Sequence, residues 1–244
     1  GIRSFVADEL DKKGIHLHFN TNVTAIEKNA NDTLKVITAE EGELEADLVM
    51  YATGRNPAIH DIGLETVKVD TRADGAIIVD DFFQTSEPSI FALGDVIGRV
   101  QLTPVAIAEA MAFAKTQFLN EPTTMDYDNV ATAVFCQPNI GTVGLTEADA
   151  RQKYDAIEIY QSSFRPMKHT LSGSDERTMM KIIVDKATDL VIGVHMVGPE
   201  AGEIIQGMSI AMKAGATKAI LDSTIGIHPT TAEEFVTMRE LSSN

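Results

Sequence analysis

The segment Thr85-Ser86-Glu87-Pro88-Ser89-Ile90-Phe91-Ala92-Leu93-Gly94-Asp95 constrains the fold more than any other part of this chain. A turn leads into a short apolar run, and the run stops at a glycine followed by an acid. Such a run predicts a strand buried on both faces, as in a parallel α/β sheet. Ligands of such sheets bind just outside the carboxyl ends of the strands. Gly94 lets a ligand come close, and Asp95 can accept hydrogen bonds from sugar hydroxyls. The same pair also reads as a tight turn with a helix-capping acid. Residues 104–119 follow, almost wholly apolar apart from Glu109, Lys115 and a few polar residues, which predicts a buried helix. Thr103 is its expected N-cap and Pro104 its first helical residue. A buried helix start offers free N–H groups and partial positive charge to a developing anion. Alternatively, Thr103 alone caps it.

The remaining pattern falls on either side of a polar, proline-containing linker at residues 121–128. Before it, the pattern predicts a helix from a Ser4 cap to about Lys13, ended by Gly14, and a strand at residues 15–19. A hairpin is expected over residues 23–28 and 33–39. Further strands are expected at residues 47–52, buried on both faces, and at residues 76–80. After the linker, an antiparallel sheet is expected from residues 132–135, 142–145, 157–164, 179–184 and 190–197. An amphipathic helix over residues 202–214 places Ile204, Ile205, Met208 and Met212 on one face, and a terminal helix covers residues 231–239. Cys136 reads as a buried strand residue.

Composition narrows the function. Hydrophobic residues make up 44% and charged residues 23% of the 244, which suits a soluble globular protein. The net charge of -16 speaks against a phosphate-tracking surface, so no nucleic-acid partner is expected. No apolar run approaches the ~18 residues of a membrane span, so no membrane partner is expected. A single cysteine forms no intrachain disulfide, and no Cys-x-x-Cys pair offers a zinc or dithiol site; no metal is expected. The cytoplasm is the expected compartment. Gly1-Ile2-Arg3-Ser4-Phe5 reads as neither a signal nor a transit peptide, and no initiator Met precedes it.

Residues 85–95, Leu102-Thr103-Pro104-Val105-Ala106 and His228-Pro229-Thr230-Thr231-Ala232-Glu233-Glu234 resemble motifs of the pyridine nucleotide–disulfide oxidoreductases. Ala52-Thr53-Gly54-Arg55 and Phe135-Cys136-Gln137-Pro138-Asn139-Ile140-Gly141-Thr142-Val143-Gly144 are similar to family motifs too. The five motifs stand in family order across essentially the whole chain, closest to the branch that reduces glutathione disulfide. Family members carry, in their first half, two glycine fingerprints and a Cys-x-x-x-x-Cys redox pair that this sequence lacks. The chain therefore resembles a C-terminal half. The implied fold is α/β plus α+β: the C-terminal halves of two nucleotide-binding domains, then an antiparallel-sheet dimer-interface domain. Residues 1–57 would end the NADPH-binding domain, 58–128 would be the second half of the FAD-binding domain, and 129–244 the interface domain.

The resemblance also implies residue roles. Asp95 would bind the ribityl hydroxyls of FAD. Thr103 would present its backbone N–H to the flavin's carbonyl edge, with the helix dipole favouring negative charge there. Gly54 would bring its backbone against NADPH, with Gln101 and Ala133 adding backbone contacts. Arg3 would read the 2′-phosphate of NADPH, which suits a guanidinium fork; by itself Arg3 is a surface arginine. His228 and Glu233 would form an acid–base dyad at the active site of the partner subunit, which requires a homodimer, and the His228 carbonyl would meet the flavin. By themselves the two are a loop histidine and a first-turn acid, with Glu234 as a competing carboxylate. Phe164-Arg165-Pro166-Met167-Lys168-His169 and Arg177 concentrate positive charge, which suits the carboxylates of glutathione disulfide; otherwise they form an exposed loop. Some family members carry an arginine where Met111 stands, so the substrate could be another disulfide, trypanothione or dihydrolipoamide. A non-catalytic dimerisation fragment is the reading from a different class. The 244 residues alone are expected to be inactive.

Overall fold

The computed structural model describes residues 1–242. The chain divides into two compact units: Gly1–Asn20 together with the chain from Asp128 onward, and Thr21–Tyr127.

The chain opens on helix α1 (Ile2–Lys12), about three residues earlier than a Ser4 cap predicts. Gly1 is the N-cap, and the Ser4 hydroxyl instead donates to the Gly1 carbonyl at 2.9 Å. Gly14, at φ +77°, turns the chain out of the helix. Residues 15–19 are not a strand, and Ile15 and Phe19 are exposed.

In the unit of residues 21–127, β1 (Val23–Lys28), β2 (Leu34–Thr38) and β3 (Gly42–Ala46) form an antiparallel meander in the order β1-β2-β3. The expected hairpin is its first half. β3 escapes the sequence reading because Gly42-Glu43-Leu44-Glu45-Ala46 is polar and mostly exposed. Three expected strands do not form. Residues 47–52 expose Leu48, Met50 and Tyr51; no strand pairs with them among the described residues, and a strand without a ladder has nothing to bury against. Residues 76–80 and 89–93 reduce to single bridges, Thr71 with Ile77 and Gln84 with Phe91. They nevertheless feed a small core of Ile77, Phe83, Ala92, Ile97 and Ala112.

Helix α2 (Thr103–Phe118) closes this unit. Its N-cap is Leu102 rather than Thr103, which occupies the first helical turn, with Pro104 beside it. It is also only one-sided: Val105, Glu109 and Ala112 are buried, whereas Ile107, Met111 and Phe118 are exposed. Its apolar surroundings within the unit cover one stripe and leave the other exposed.

In the other unit, the linker runs into β4 (Thr132–Val134), β5 (Ile140–Gly144), helix α3 (Glu147–Lys153), β6 (Ile157–Phe164), helix α4 (His169–Ser172), β7 (Thr178–Asp185) and β8 (Val191–Val197). The strands form one antiparallel sheet in the order β4-β5-β8-β7-β6. Every residue of β7 and β8 is buried. Helix α5 (Ala201–Lys213) packs on the sheet through Ile205 and Met212, with Ile204 and Met208 partly buried against the same core. Gly141 makes this approach possible: a Cβ there would lie 2.5 Å from the Ala201 carbonyl oxygen. Cys136 is not a strand residue, because β4 ends at Val134. It sits half-buried in the following loop, where its thiol donates to the Pro138 carbonyl at 3.1 Å and its own carbonyl accepts from Asn139.

Helices α6 (Lys218–Ser223) and α7 (Glu234–Thr237) complete the unit. The terminal helix is much shorter than residues 231–239. Its end is fixed by the Met238 carbonyl, which accepts from the buried Lys218 ammonium at 2.7 Å. Lys218 also pairs with Asp222 and lies 4.2 Å over the Tyr160 ring. Phe235 anchors α7 in the core. No helix among the described residues is long and apolar enough to cross a membrane.

Candidate active site

The segment between α6 and α7 carries the candidate dyad. Glu233 is the N-cap of α7. Its backbone N–H donates to the Thr230 hydroxyl at 3.2 Å, and its carboxylate accepts from the Thr230 N–H at 3.4 Å. This reciprocal clamp orients the carboxylate before the helix begins. Both carboxylate oxygens then face His228 Nδ1, at 3.0 and 3.1 Å. A carboxylate only accepts, so Nδ1 carries a proton, and in the neutral ring the lone pair is then on Nε2. Nε2 has no partner among the described residues, and the ring is 78% exposed while Glu233 is 22% exposed. A basic nitrogen is thus aimed outward from a ring held at its other end, the arrangement of an oriented proton acceptor. Glu234, the competing acid, accepts from the Thr237 hydroxyl instead.

The basic loop meets this segment. Phe164, Arg165, Met167 and Lys168 form one wall of a groove of about 430 Å³, and Pro229, Thr230 and Glu233 form the other. Arg165 donates to the His169 carbonyl within its own loop, and Arg177 braces the loop base through the Ser163 carbonyl at 2.7 Å. Two features far apart in sequence therefore border one groove.

In the unit of residues 21–127, the two ends of the expected strands converge. Arg55, directly after Gly54, donates to Asp95 Oδ2 at 3.0 Å. Both side chains are substantially exposed, so this pair orders the carboxylate without stabilising the fold much. Gly54 adopts φ +137°, and a Cβ there would touch nothing, so its backbone is openly presented. Thr103 and Gln101 are exposed at the start of α2, and the Thr103 N–H has no acceptor among the described residues. Gly94 adopts φ +75°, and a Cβ there would lie 3.3 Å from Ala106. Arg3 and Ala133 belong to the other unit: Arg3 on α1, beside a cavity of about 510 Å³ with Lys181 and His195, and Ala133 on β4 opposite Gly141.

The sequence reading assigns no role to Arg55 or to a cluster of the buried Glu109, the half-buried Tyr127 and the exposed Arg99. Glu109 is almost fully buried, with Gly94 N–H at 2.6 Å on one oxygen and the Tyr127 hydroxyl at 2.7 Å on the other. The available signal was a lone internal acid in an otherwise apolar helix, which must find donors if it is buried.

Comparison with known proteins places the chain in a family. Residues 1–110 match the pyridine nucleotide-disulphide oxidoreductase family, and residues 130–239 match the family's dimerisation domain. The chain is 51% identical over 226 residues to a chloroplastic/mitochondrial glutathione reductase of Pisum sativum, covering 93% of this chain and 41% of that one. It is 49% identical over 238 residues to a glutathione reductase of Burkholderia cepacia, covering 98% and 53%. A trypanothione reductase of Trypanosoma congolense is 42% identical over 240 residues, covering 98% and 49%. The chain spans about half the length of these relatives. With both family matches in order and the fold described, the chain belongs to the pyridine nucleotide-disulphide oxidoreductases.

Proposed function

We propose that this chain is the C-terminal half of an FAD- and NADPH-dependent reductase of glutathione disulfide that works as a homodimer in the cytoplasm. Its parts are the end of the NADPH domain (residues 1–57), the second half of the FAD domain (58–128) and the interface domain (129–244). The observation that carries the reading is the His228–Glu233 pair, at 3.0 Å beside a groove walled by Arg165 and Lys168. The similarity to relatives named glutathione reductase favours glutathione disulfide over trypanothione, although a relative named trypanothione reductase is also close.

The residues suit a flavin. Among the described residues, Asp95 offers a carboxylate held by one oxygen only, Thr103 offers a helix-start N–H with no acceptor, and Gly94 keeps the turn between them free of a side chain. Bound flavin supplies the relay of electrons between the nicotinamide and the disulfide. Asp95 would hold the ribityl hydroxyls and the Thr103 N–H the ring's carbonyl edge. Gly54, Gln101 and Ala133 would contact NADPH through backbone atoms, and Arg3 would pair with its 2′-phosphate. Across the homodimer, His228 Nε2 would take the proton of the attacking thiol and return it to the departing thiolate, and the His228 carbonyl would help to hold the flavin. Glu233 favours the imidazolium that forms in between. Arg165 and Lys168 would attract the substrate's carboxylates.

Stopped-flow measurement in the flavoprotein containing this chain tests the dyad. His228→Ala leaves flavin reduction by NADPH fast and slows the disulfide step by roughly 10²–10⁴. Glu233→Gln slows it less, and Glu234→Gln hardly at all. Equal slowing of both half-reactions by His228→Ala rejects the acid–base role.

A further inference from the structure

The fully buried acid in α2 stands apart from the dyad and from every residue assigned above. Glu109 lies within a helix whose other buried residues, Val105 and Ala112, are apolar. A carboxylate in such surroundings is costly unless both oxygens are satisfied. They are, by donors chosen from two places. Oε2 accepts from the Gly94 N–H, and Oε1 from the Tyr127 hydroxyl. Tyr127 is itself held by Arg99 at 3.1 Å, and Arg99 is fastened to the Val79 and Asp80 carbonyls. Burial, with Glu109 adding to it, pushes the Tyr127 phenol up against the opposing pull of Arg99, so it stays protonated and donates.

The bond at Gly94 is the informative one. Gly94 adopts a left-handed conformation and starts a single turn, Gly94–Ile97, whose second residue is Asp95. The far end of the turn is also tied: Arg72 donates to the Gly98 carbonyl at 3.1 Å. Between those ties, the Asp95 carbonyl accepts from the Gly98 N–H at 3.0 Å, and among the described residues its carboxylate has only the exposed Arg55 to direct it. The backbone on which Asp95 rides is thus fixed from below by a side chain of α2, the helix whose first N–H faces the same region. One buried carboxylate couples the placement of both groups.

We infer that Glu109 is a positioning residue of the flavin site, holding the Gly94–Asp95 backbone in register with the start of α2 through the Gly94 N–H, with Tyr127 and Arg99 locking its second oxygen. The inference rests on the flavin reading of Asp95 given above, and its test separates the two.

The first measurement needs no flavin and uses the chain itself. By NMR, the Gly94 amide proton resonates far downfield, as a short bond to a carboxylate requires, and exchanges slowly with solvent. Glu109→Ala removes the acceptor and accelerates Gly94 exchange roughly tenfold or more, while amides of β2 and β8 keep their rates. Glu109→Gln keeps a carbonyl for Gly94 and an amide N–H for the Tyr127 oxygen, and it restores slow exchange, with the downfield shift reduced because the charge is gone. Tyr127→Phe leaves Gly94 protected. The second measurement is FAD retention in the flavoprotein containing this chain: Glu109→Ala weakens it about tenfold, and Glu109→Gln recovers it to within about threefold. Unchanged Gly94 exchange in Glu109→Ala overturns the inference, whatever the flavin does. So does accelerated exchange with undiminished FAD retention. If the unsubstituted protein binds no FAD, the flavin reading falls, and the exchange data alone decide whether Glu109 holds the turn.

Discussion

Strands β7 and β8 and the segment of residues 47–52 are about equally apolar in sequence, and they end in opposite places. The two strands bury every residue, whereas Leu48 and Met50 are more than four-fifths exposed. Apolar content is the same; the difference lies in the ladder. β7 lies between β6 and β8, and β8 between β5 and β7, so both strands are hydrogen-bonded along both edges, and every residue of them is buried. Residues 47–52 follow β3 with no strand beside them among the described residues. An apolar run becomes a strand only where neighbours complete its hydrogen bonds.

The largest effect expected from this contrast is in single large-to-small substitutions. Phe235→Ala opens the core under α7 and destabilises that unit by about 3–5 kcal/mol. Tyr51→Ala, in the exposed run, changes stability by less than about 0.5 kcal/mol. Urea unfolding followed by circular dichroism measures both. A large cost at Tyr51 would mean that residues 47–52 pack in solution, and the contrast would collapse. Phe235→Ala also frees α7 and with it Glu233, so the His228 contact should loosen in the same variant.

A second, smaller contrast separates two glycines that touch α5. At Gly141, under the helix, a Cβ would meet Ala201 and Ile205 at 2.5 and 2.6 Å, both too close. Gly141→Ala pushes the helix off the sheet and costs about 1–3 kcal/mol. Gly207, on the helix's open side, has nothing within 4 Å of such a Cβ. Gly207→Ala should stabilise by about 0.5–1 kcal/mol, because alanine loses less backbone freedom in a helix. If both proved neutral, the packing of α5 on Gly141 would be looser than its geometry states. If Gly207→Ala destabilised instead, that face would be covered by another surface.

The same logic explains what the sequence could and could not disclose. The antiparallel sheet was legible nearly strand by strand, because its runs are bounded by turns and its partners all lie within the chain. Only the edges moved: β4 stops at Val134, and β5 starts at Ile140. Helices α3 and α6 were not legible, being short and held by Thr146 and Thr217 caps rather than by a periodic apolar face. At the site, the Glu233 contact with His228 was legible only through the family resemblance, because two residues five apart share no helical face, and the Thr230 clamp that aims it was not legible at all. Arg55 and Glu109 were invisible as partners of the Gly94-Asp95 turn because each is brought there by the fold from a distant segment.

The smallest expected effect is on the acid stability of the two units. His195 on β8 is buried: its Nε2–H donates to the Leu145 carbonyl at 3.0 Å, so Nδ1 accepts from the Thr142 hydroxyl at 2.5 Å. Lys181 faces it from β7, paired with Glu147. Burial pushes the imidazole below its ordinary value; the Leu145 carbonyl pulls the other way, and the Lys181 charge adds to the lowering. The folded protein therefore binds this proton more weakly than the unfolded chain does. Stability from His195 is complete above the unfolded value of about 6.5 and declines as pH falls through it, until the folded site itself protonates. The unit of residues 21–127 holds a single histidine, His60, and that one is exposed. Between pH 7.5 and 5.5, protection against amide exchange, taken relative to the intrinsic rate at each pH, should fall more across β7 and β8 than across β1 and β2. His195→Gln, which offers an amide to both partners and does not titrate, should flatten that difference. If the sheet still loosened in acid to the same degree, a carboxylate rather than His195 would be responsible, and Glu147 beside Lys181 is the first to test: Lys181 holds its carboxyl below the usual range, so its contribution would be lost at lower pH than that of the histidine.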